Sequence, residues 1–330
     1  MRNFFLIFIL CQFWCNSQKL ASDSNYYSDT ITGKELMELL YVYSSDYFKG
    51  RGTGELGQKR ACDFLRDYYK SNNIYPAKGT KNYFQPMELL INKKKVKTEN
   101  VAAVIKGSHF PNEYVILSAH LDHLGTNDNG DVYNGADDDG SGTVALLEIA
   151  EAFKLAFDNG KGPKRSLIFL HFTGEEKGLL GSKFYTENPL YPLPSTIADL
   201  NIDMIGRINP KRNSNNPNYI YLIGSDKISM ELHNISEEMN EKYTQLELDY
   251  TYNKDDDPNR FYYRSDHYNF AKNNIPVIFY FSGTHEDYHK ISDTADKILY
   301  STLEKRTRLI FHTAWELANR GEKIKIDLKW

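Results

Sequence analysis

Four short apolar runs are each followed by histidine or carboxylate side chains. They cover residues 114–119, 166–172, 197–202 and 276–281, and helical patterns separate them. Strands that alternate with helices predict a mostly parallel central sheet, flanked by helices on both faces. Ligands of such sheets bind at the carboxyl ends of the strands. The polar residues after the four runs are therefore expected to meet at one rim: His120, Asp122, Glu175, Glu176, Asp203 and His289.

Hydrophobic periodicity extends this reading to the rest of the chain. Strands are predicted over 83–91, 95–105, 114–119, 166–172, 197–202, 219–223 and 276–281, and helices over 32–43, 58–70, 143–157, 227–242 and 293–319, with another starting within 178–185. No internal repeat and no change of composition marks a second domain. The fold class expected is α/β, in a single domain from residue 31 to residue 330.

A turn with three consecutive acids, Asn134-Gly-Ala-Asp-Asp-Asp-Gly-Ser-Gly142, precedes the helix predicted at 143–157. It begins a helix poorly, but it can aim carboxylates at a divalent cation. So many buried carboxylates beside one another would repel strongly without a cation. Histidines and carboxylates without thiolates suit a hydrolytic zinc centre. The carboxylates exceed what one tetrahedral zinc needs, which favours two metals bridged by a carboxylate and a water.

Other chemistries are disfavoured by the motifs that the chain lacks. It contains no GxSxG, which weakens a serine hydrolase reading. A formal GxGxxG at Gly52, Gly54 and Gly57 follows a helical pattern instead of a strand, so it is interpreted as a loop and not as a dinucleotide site. The net charge of −4 and the lack of a long basic run indicate no nucleic-acid surface.

Five motifs stand in a fixed order over roughly residues 45–320: His120-Leu-Asp122, Gly135-Ala-Asp-Asp-Asp-Gly-Ser-Gly142, Gly174-Glu-Glu176, Asn201-Ile-Asp-Met-Ile-Gly206 and Tyr288-His-Lys-Ile-Ser-Asp-Thr294. In order and spacing they resemble the co-catalytic dizinc aminopeptidases of bacterial leucyl-aminopeptidase type, metallopeptidases of clan MH. The resemblance implies a zinc exopeptidase fold of the phosphorylase/hydrolase-like kind. It also implies two zinc ions and a peptide substrate.

The resemblance also implies a role for each matching residue. His120 and Asp203 would hold one zinc, Glu176 and His289 the other, and Asp138 would bridge both. Glu175 would be the general base, and Tyr288 would donate a hydrogen bond to the developing oxyanion. These assignments agree with the chemistry of the residues, since adjacent glutamates can place one carboxylate on metal and the next beside the water.

The residues around these motifs are expected to support them. Asp122 is predicted to accept the ring N–H of His120 that faces away from the metal. Asp137 and Asp139 are expected to shape the turn, and Arg207 either contacts a substrate carbonyl or pairs with an acid. Consecutive residues cannot form a catalytic triad, so 265–267 (Ser-Asp-His) is predicted to form a pocket wall or helix cap. Three further histidines are expected to be structural: His123, His171 and His285.

Three alternatives to an aminopeptidase stay open on this fold. A glutaminyl cyclase-like transferase would use one zinc and lack the full ligand set. A carboxypeptidase would need a basic pocket for the substrate carboxylate. A non-catalytic binding module would be expected to have lost ligands, and none of the five is lost.

The N-terminus predicts export. Arg2 precedes an apolar stretch, and 15–17 (Cys-Asn-Ser) suits a cleavage site. Residues 1–17 are therefore predicted to be a signal peptide, 18–30 a loose leader, and 31–330 the zinc peptidase domain. The mature protein would be secreted or periplasmic, with no membrane span, and a lipid anchor is less favoured. Cleavage near Ser17 would leave Cys62 as the single cysteine, a buried hydrophobe without a disulfide.

Overall fold

A nine-stranded sheet forms the centre of the computed structural model, which describes residues 24–327. The strands are β1 (Tyr75–Pro76), β2 (Phe84–Ile91), β3 (Lys94–Ile105), β4 (Phe110–His120), β5 (Arg165–Phe172), β6 (Thr196–Ile202), β7 (Tyr219–Ile223), β8 (Glu247–Asp249) and β9 (Val277–Phe281). Their order in the sheet is β1-β3-β5-β4-β6-β9-β7-β8, and β2 pairs with β3.

The four middle strands β5, β4, β6 and β9 are parallel to one another. This confirms the predicted parallel centre. The flanks differ, because β3 joins β5 and β7 joins β9 in antiparallel pairs, so the whole sheet is mixed. All residues of β5 and β9 are buried, and a continuous apolar run is what a strand covered on both faces requires.

The helices that cover the sheet include α1 (Gly33–Tyr43), α2 (Leu56–Ser71), α3 (Gly142–Asp158), α4 (Leu180–Glu187), α5 (Met230–Met239), α6 (His267–Ala271) and α7 (Tyr300–Asn319). Apolar residues of α1, α2, α3, α5 and α7 form one core with one face of the sheet. Residues of α4 and α6 belong to the second core, on the other face. The predicted helices are thus confirmed within a few residues, with one exception.

The exception is the closing helix, which was predicted from residue 293 but begins at Tyr300. A short 3-10 turn (Ala295–Lys297) precedes it. Asp293 is buried, and its carboxylate accepts hydrogen bonds from the backbone N–H groups of Asp137 and Asp138. The segment before α7 is therefore shaped by the triple-Asp turn that it contacts, a contact 155 residues away that no local pattern reveals.

The beginning of the described chain also differs from the loose leader predicted for residues 18–30. Residues 24–28 are helical. The Ser24 hydroxyl lies 2.6 Å from Nδ1 of His312, and the Tyr27 ring is stacked on Trp315 with centroids 5.6 Å apart. The segment therefore packs on α7. The predicted signal peptide at residues 1–17 lies outside the described residues and stays a prediction.

The glycine-rich segment at residues 50–57 joins the end of a 3-10 helix (Asp46–Arg51) to the first turn of α2, and no strand leads into it. The predicted loop is confined to residues 52–55. A Cβ at Gly57 would lie 2.0 Å from the carbonyl oxygen of Phe48, so glycine is needed for this close approach. Cys62 on α2 is a buried free thiol, as expected. Within residues 24–327 no helix is both long and apolar enough to cross a membrane.

The buried carboxyl of Glu148 on α3 is expected to make the stability of the fold depend on pH. It is 6% exposed, and burial followed by the nearby Glu151 and Glu35 raises the pKa of its carboxyl from 4.5 to about 8. The native state therefore disfavours the ionised form, and stability is lost as the pH rises from about 4.5 to 8. We expect Glu148→Gln to stabilise the protein at pH 8.5 by about 1–3 kcal/mol and to have little effect at pH 4.5.

Urea unfolding of both proteins at the two pH values measures this difference. Glu241→Gln, the same change at an exposed position, is the matched control and should leave stability unchanged at both. An equal effect of Glu148→Gln at pH 4.5 and pH 8.5 would contradict the assigned ionisation.

Candidate metal centre

The five predicted metal ligands lie together at the carboxyl ends of the parallel strands. His120 ends β4, Glu176 follows β5, Asp203 follows β6, and His289 lies in the segment after β9. The turn that contains Asp138 connects to the start of α3. In the sheet, β5 lies on one side of β4 and β6 on the other, so the order of the strands reverses at β4. Open α/β sheets bind ligands at such a point.

His120, Asp138 and Asp203 form the first cluster of possible ligand atoms. Nε2 of His120 lies 3.1 Å from Oδ1 of Asp138 and 3.6 Å from Oδ1 of Asp203. All three residues are buried. Oδ2 of Asp203 accepts a hydrogen bond from the Ser265 hydroxyl at 2.7 Å, which leaves Oδ1 directed at the cluster. This triad can hold one metal ion.

Asp138, Glu176 and His289 form the second cluster. Nε2 of His289 lies 3.1 Å from Oδ2 of Asp138 and 3.3 Å from Oε2 of Glu176. A fourth residue, His123, places Nδ1 2.7 Å from Oε1 of Glu176 and 3.7 Å from Oδ2 of Asp138. Asp138 therefore offers one carboxylate oxygen to each cluster, which is the arrangement that a bridging ligand requires.

The triple-Asp turn is held by contacts from both sides. Gly135 adopts a φ of +56°, and a Cβ there would lie 2.3 Å from the Asp138 carbonyl oxygen. Asp139 accepts backbone N–H groups of His120, Gly142 and Met204 at 2.9–3.2 Å. The peptide bond between Asp138 and Asp139 is cis. The three hydrogen bonds that Asp139 accepts show that it shapes the turn as predicted and links it to the ends of β4 and β6.

Arg51, the last residue of the 3-10 helix before α2, supports the same turn and was missed by the sequence analysis. Its guanidinium is buried and donates to the carbonyl oxygens of Asn134 at 2.7 Å, Gly135 at 2.8 Å and Leu121 at 3.1 Å. The glycine-rich segment is therefore a brace for the candidate site. An arginine between glycines was the only available signal, and it does not reveal the partner.

The electrostatics of the clusters call for positive charge. Burial opposes ionisation of Asp138, but His123, His120 and His289 hold the pKa of its carboxyl well below the usual range. Burial lowers the pKa of His289, yet the adjacent carboxylates of Asp138 and Glu176 raise it to about 10. The clustered carboxylates therefore call for nearby positive charge. A divalent ion would supply this charge and leave the imidazoles neutral, the form that binds metal.

Unsatisfied atoms are the second sign that these residues fit a metal. Among the described residues, Oδ2 of Asp138, Oε1 of Glu176 and both ring nitrogens of His123 are buried without a hydrogen-bond partner. Buried polar atoms of native proteins are nearly always paired. Nitrogen and carboxylate oxygen atoms in two groups that share Asp138 suit zinc or a similar divalent ion.

Glu175 is placed differently from Glu176. It is half-buried, lines the pocket beside Asp203, and its backbone N–H donates to Oδ1 of Asp122 at 3.1 Å. Burial raises the pKa of its carboxyl well above the ordinary value, and Asp203 and Glu176 add to this while His120 opposes it. A carboxyl in the pocket that readily holds a proton suits a general base that later acts as an acid.

Asp122 does not play the part predicted for it. Nδ1 of His120 lies 3.0 Å from the main-chain oxygen of Asp122 but 4.0 Å from its carboxylate, so the carbonyl is the acceptor. The carboxylate instead accepts hydrogen bonds from the Thr53 hydroxyl and from the Glu175 backbone N–H. It therefore fixes the position of the predicted base instead of the His120 ring.

Tyr288 and an apolar wall line the same pocket. The Tyr288 ring is stacked on His289 with centroids 3.8 Å apart, and burial raises the pKa of its hydroxyl. The wall contains Met204, Phe261, Phe279 and Phe281. Arg264 borders the mouth of the pocket, and its guanidinium lies 3.5 Å from the Tyr288 hydroxyl. The pocket contains about 350 Å³ of empty space including its open mouth.

The remaining sequence predictions divide clearly. Arg207 pairs with Asp287 and Glu286 at 3.0 and 3.2 Å. Of its two predicted roles, the structure therefore shows pairing with an acid. His171 is structural, bound to the Tyr69 hydroxyl, and His285 contacts Asp137 at 3.2 Å. Ser265 is more than a wall, since it orients Asp203. The ring of His123, a residue also predicted to be structural, lies beside the second cluster.

Comparison with known proteins adds three findings. Residues 100–314 match Peptidase family M28. A probable glutamate carboxypeptidase of Zea mays, VP8, is 39% identical over 108 residues, which cover 32% of this chain and 14% of that protein. Aminopeptidase Y of Saccharomyces cerevisiae is 29% identical over 243 residues, 69% of this chain and 40% of that protein. The matched segments thus span less than half of these curated relatives.

A solved structure shows the same fold. The LapA aminopeptidase of Legionella pneumophila superposes with a TM-score of 0.70 at 22% identity, over 92% of this chain and 76% of that one. At this level of identity the likeness concerns the fold alone.

Proposed function

The chain belongs to peptidase family M28, and from this premise we propose that it is a dizinc metallo-aminopeptidase that removes N-terminal residues from peptides. The observation that carries the proposal is Asp138, which offers one carboxylate oxygen to the His120 cluster and the other to the His289 cluster. His120 and Asp203 would hold one ion, Glu176 and His289 the other.

The proposed reaction uses the residues around this pair of clusters. When bound, two zinc ions polarise the scissile carbonyl and lower the pKa of the attacking water. The Glu175 carboxylate takes a proton from that water and delivers it to the nitrogen of the leaving amine. The Tyr288 hydroxyl donates a hydrogen bond to the carbonyl oxygen as negative charge develops there. Carboxylates around Glu175 and Asp203 attract the substrate's free α-ammonium group.

The side chain of the N-terminal residue is proposed to occupy the apolar wall beside Tyr288. Phe261 and Phe281 have ring centroids 4.9 Å apart, and those of Phe279 and Phe281 are 5.1 Å apart. Burial of an apolar substrate side chain against this aromatic surface is favourable, because apolar area is removed from water. We therefore propose a preference for leucine or phenylalanine at the cleaved position.

One observation favours a second candidate, a carboxypeptidase. Arg264 at the mouth of the pocket is exposed and could bind a substrate carboxylate. Its guanidinium lies over the Phe261 ring, 4.9 Å from the centroid, and beside the Tyr288 hydroxyl. A cyclase that uses one zinc is less favoured, since it has no use for a complete first cluster of His120, Asp138 and Asp203.

A substrate panel separates these activities. We expect the zinc-loaded protein to hydrolyse leucine and phenylalanine anilides with kcat/KM at least about tenfold above lysine and glutamate anilides. N-acetyl-leucine anilide, which lacks the free amine, is the matched control and should not be hydrolysed. Hydrolysis of an N-blocked dipeptide would indicate the carboxypeptidase, and cyclisation of an N-terminal glutamine would indicate the transferase. Preference for glutamate would assign the specificity to Arg264.

A further inference from the structure

His123 is a buried imidazole that satisfies none of its hydrogen-bonding capacity. It is 0% exposed, and within the described part of the chain neither ring nitrogen has a hydrogen-bond partner. Nδ1 lies close to Oε1 of Glu176, at 2.7 Å, but without the direction of a hydrogen bond. A buried polar atom left without a partner destabilises a fold. The ring therefore needs an explanation beyond packing.

The ring is held in this place from behind. The backbone N–H of His123 donates to the carbonyl oxygen of Arg51 at 3.2 Å. Gly135 packs against the ring, since a Cβ at that position would lie 2.5 Å from the ring carbon Cδ2. Arg51 in turn holds the carbonyl of Gly135 at 2.8 Å. The 3-10 helix before α2 and the triple-Asp turn thus fix the imidazole against the second cluster.

The atoms that face Nδ1 are themselves unsatisfied. Oε1 of Glu176 and Oδ2 of Asp138, at 2.7 and 3.7 Å, are both buried without a hydrogen-bond partner. One ring nitrogen and two carboxylate oxygens, supplied by three separate segments, therefore surround the same point. The partly exposed His289 reaches the same two carboxylates at 3.1 and 3.3 Å. Such a convergence of unpaired donor atoms is what a cation requires.

We propose that His123 is a ligand, through Nδ1, of the metal ion held by Asp138, Glu176 and His289. The second cluster then has two imidazoles and two carboxylates, whereas the first has one imidazole and two carboxylates. The inference rests on the proposed metal centre but not on its substrate.

The unequal ligand sets give the two ions different properties. Four protein ligands hold a zinc ion more completely than three, which leave more of its coordination to water or substrate. The second cluster should therefore bind zinc first and more tightly. The first cluster, with three protein ligands, should exchange its ion more readily.

X-ray absorption at the zinc edge counts the imidazoles directly. In protein loaded with one equivalent of zinc, we expect about two imidazoles per zinc in the wild type and one in His123→Gln. If His123 is not a ligand, each cluster supplies a single imidazole. One imidazole per zinc in the wild type at one equivalent would then overturn the proposal. This measurement needs no activity, and the wild type alone decides it if the variant does not fold.

Zinc titration against a competing chelator gives the second readout. His123→Gln should bind its first zinc at least about tenfold more weakly than the wild type. His109→Gln, the same change at an exposed histidine, is the matched control and should bind zinc as the wild type does. Unchanged affinity in folded His123→Gln would overturn the proposal. A wild type that binds a single zinc would refute the two-metal function, while the imidazole count would still decide the role of His123.

Discussion

Glu175→Gln is expected to lose turnover while it retains both metal ions. Glutamine has nearly the same shape as glutamate but cannot accept a proton from the attacking water. Removal of a general acid–base typically costs roughly 10²–10⁴-fold in rate. We expect kcat on leucine anilide to fall within or beyond that range. Metal content should persist, because the atoms that approach His289 and His120 belong to Glu176, Asp138 and Asp203.

The measurement combines metal analysis with steady-state kinetics on the same preparations. Glu176→Gln is the informative comparison, since it should lose metal as well as activity. Glu187→Gln, an exposed residue at the end of α4, is the matched control and should resemble the wild type. An active Glu175→Gln would show that another group takes the proton.

Asp138→Asn is expected to weaken both metal sites at once. The carboxylate has one oxygen in each cluster, so its loss removes a ligand and a negative charge from both. Substitution of a residue that only supports a metal ligand typically reduces metal affinity about 10–100-fold. For the shared ligand we expect a loss of at least about 100-fold at each site, with activity below detection at micromolar zinc.

Isothermal titration of the metal-free variant with zinc measures both affinities. Asp128→Asn, the same change on the exposed loop that leads to the turn, should bind two ions as the wild type does. If Asp138→Asn lost one ion and kept the other with unchanged affinity, the carboxylate would belong to a single cluster, and the bridging role would be wrong.

Much of this site was predictable because its signals are local. A ligand directly after a buried strand is placed at the rim of a parallel sheet by the strand itself, which explains His120, Glu176 and Asp203. The helix before and the helix after the glycine-rich loop follow from short-range periodicity in the same way. His289 required more, since it lies eight residues beyond β9, and the resemblance to a family supplied it.

The adjacent glutamates show where local signals end. Either side chain could face the metals as far as spacing is concerned. In the fold, Glu176 reaches His289 at 3.3 Å, while the Glu175 backbone is tied to Asp122 and its side chain lines the pocket. The resemblance had assigned these roles, and the contacts with distant residues give the physical reason for the difference.

By itself the sequence determined the α/β class, the parallel centre of the sheet, and the histidines and carboxylates at its rim. The tertiary structure alone decided which residues hold those side chains in place. It brought Arg51 into contact with the triple-Asp turn and His123 into contact with Glu176. It also supplied a backbone acceptor for the ring N–H of His120 and made α7 begin at Tyr300. Strands and strand ends depend on neighbouring residues, whereas these contacts join segments tens of residues apart that only packing brings together.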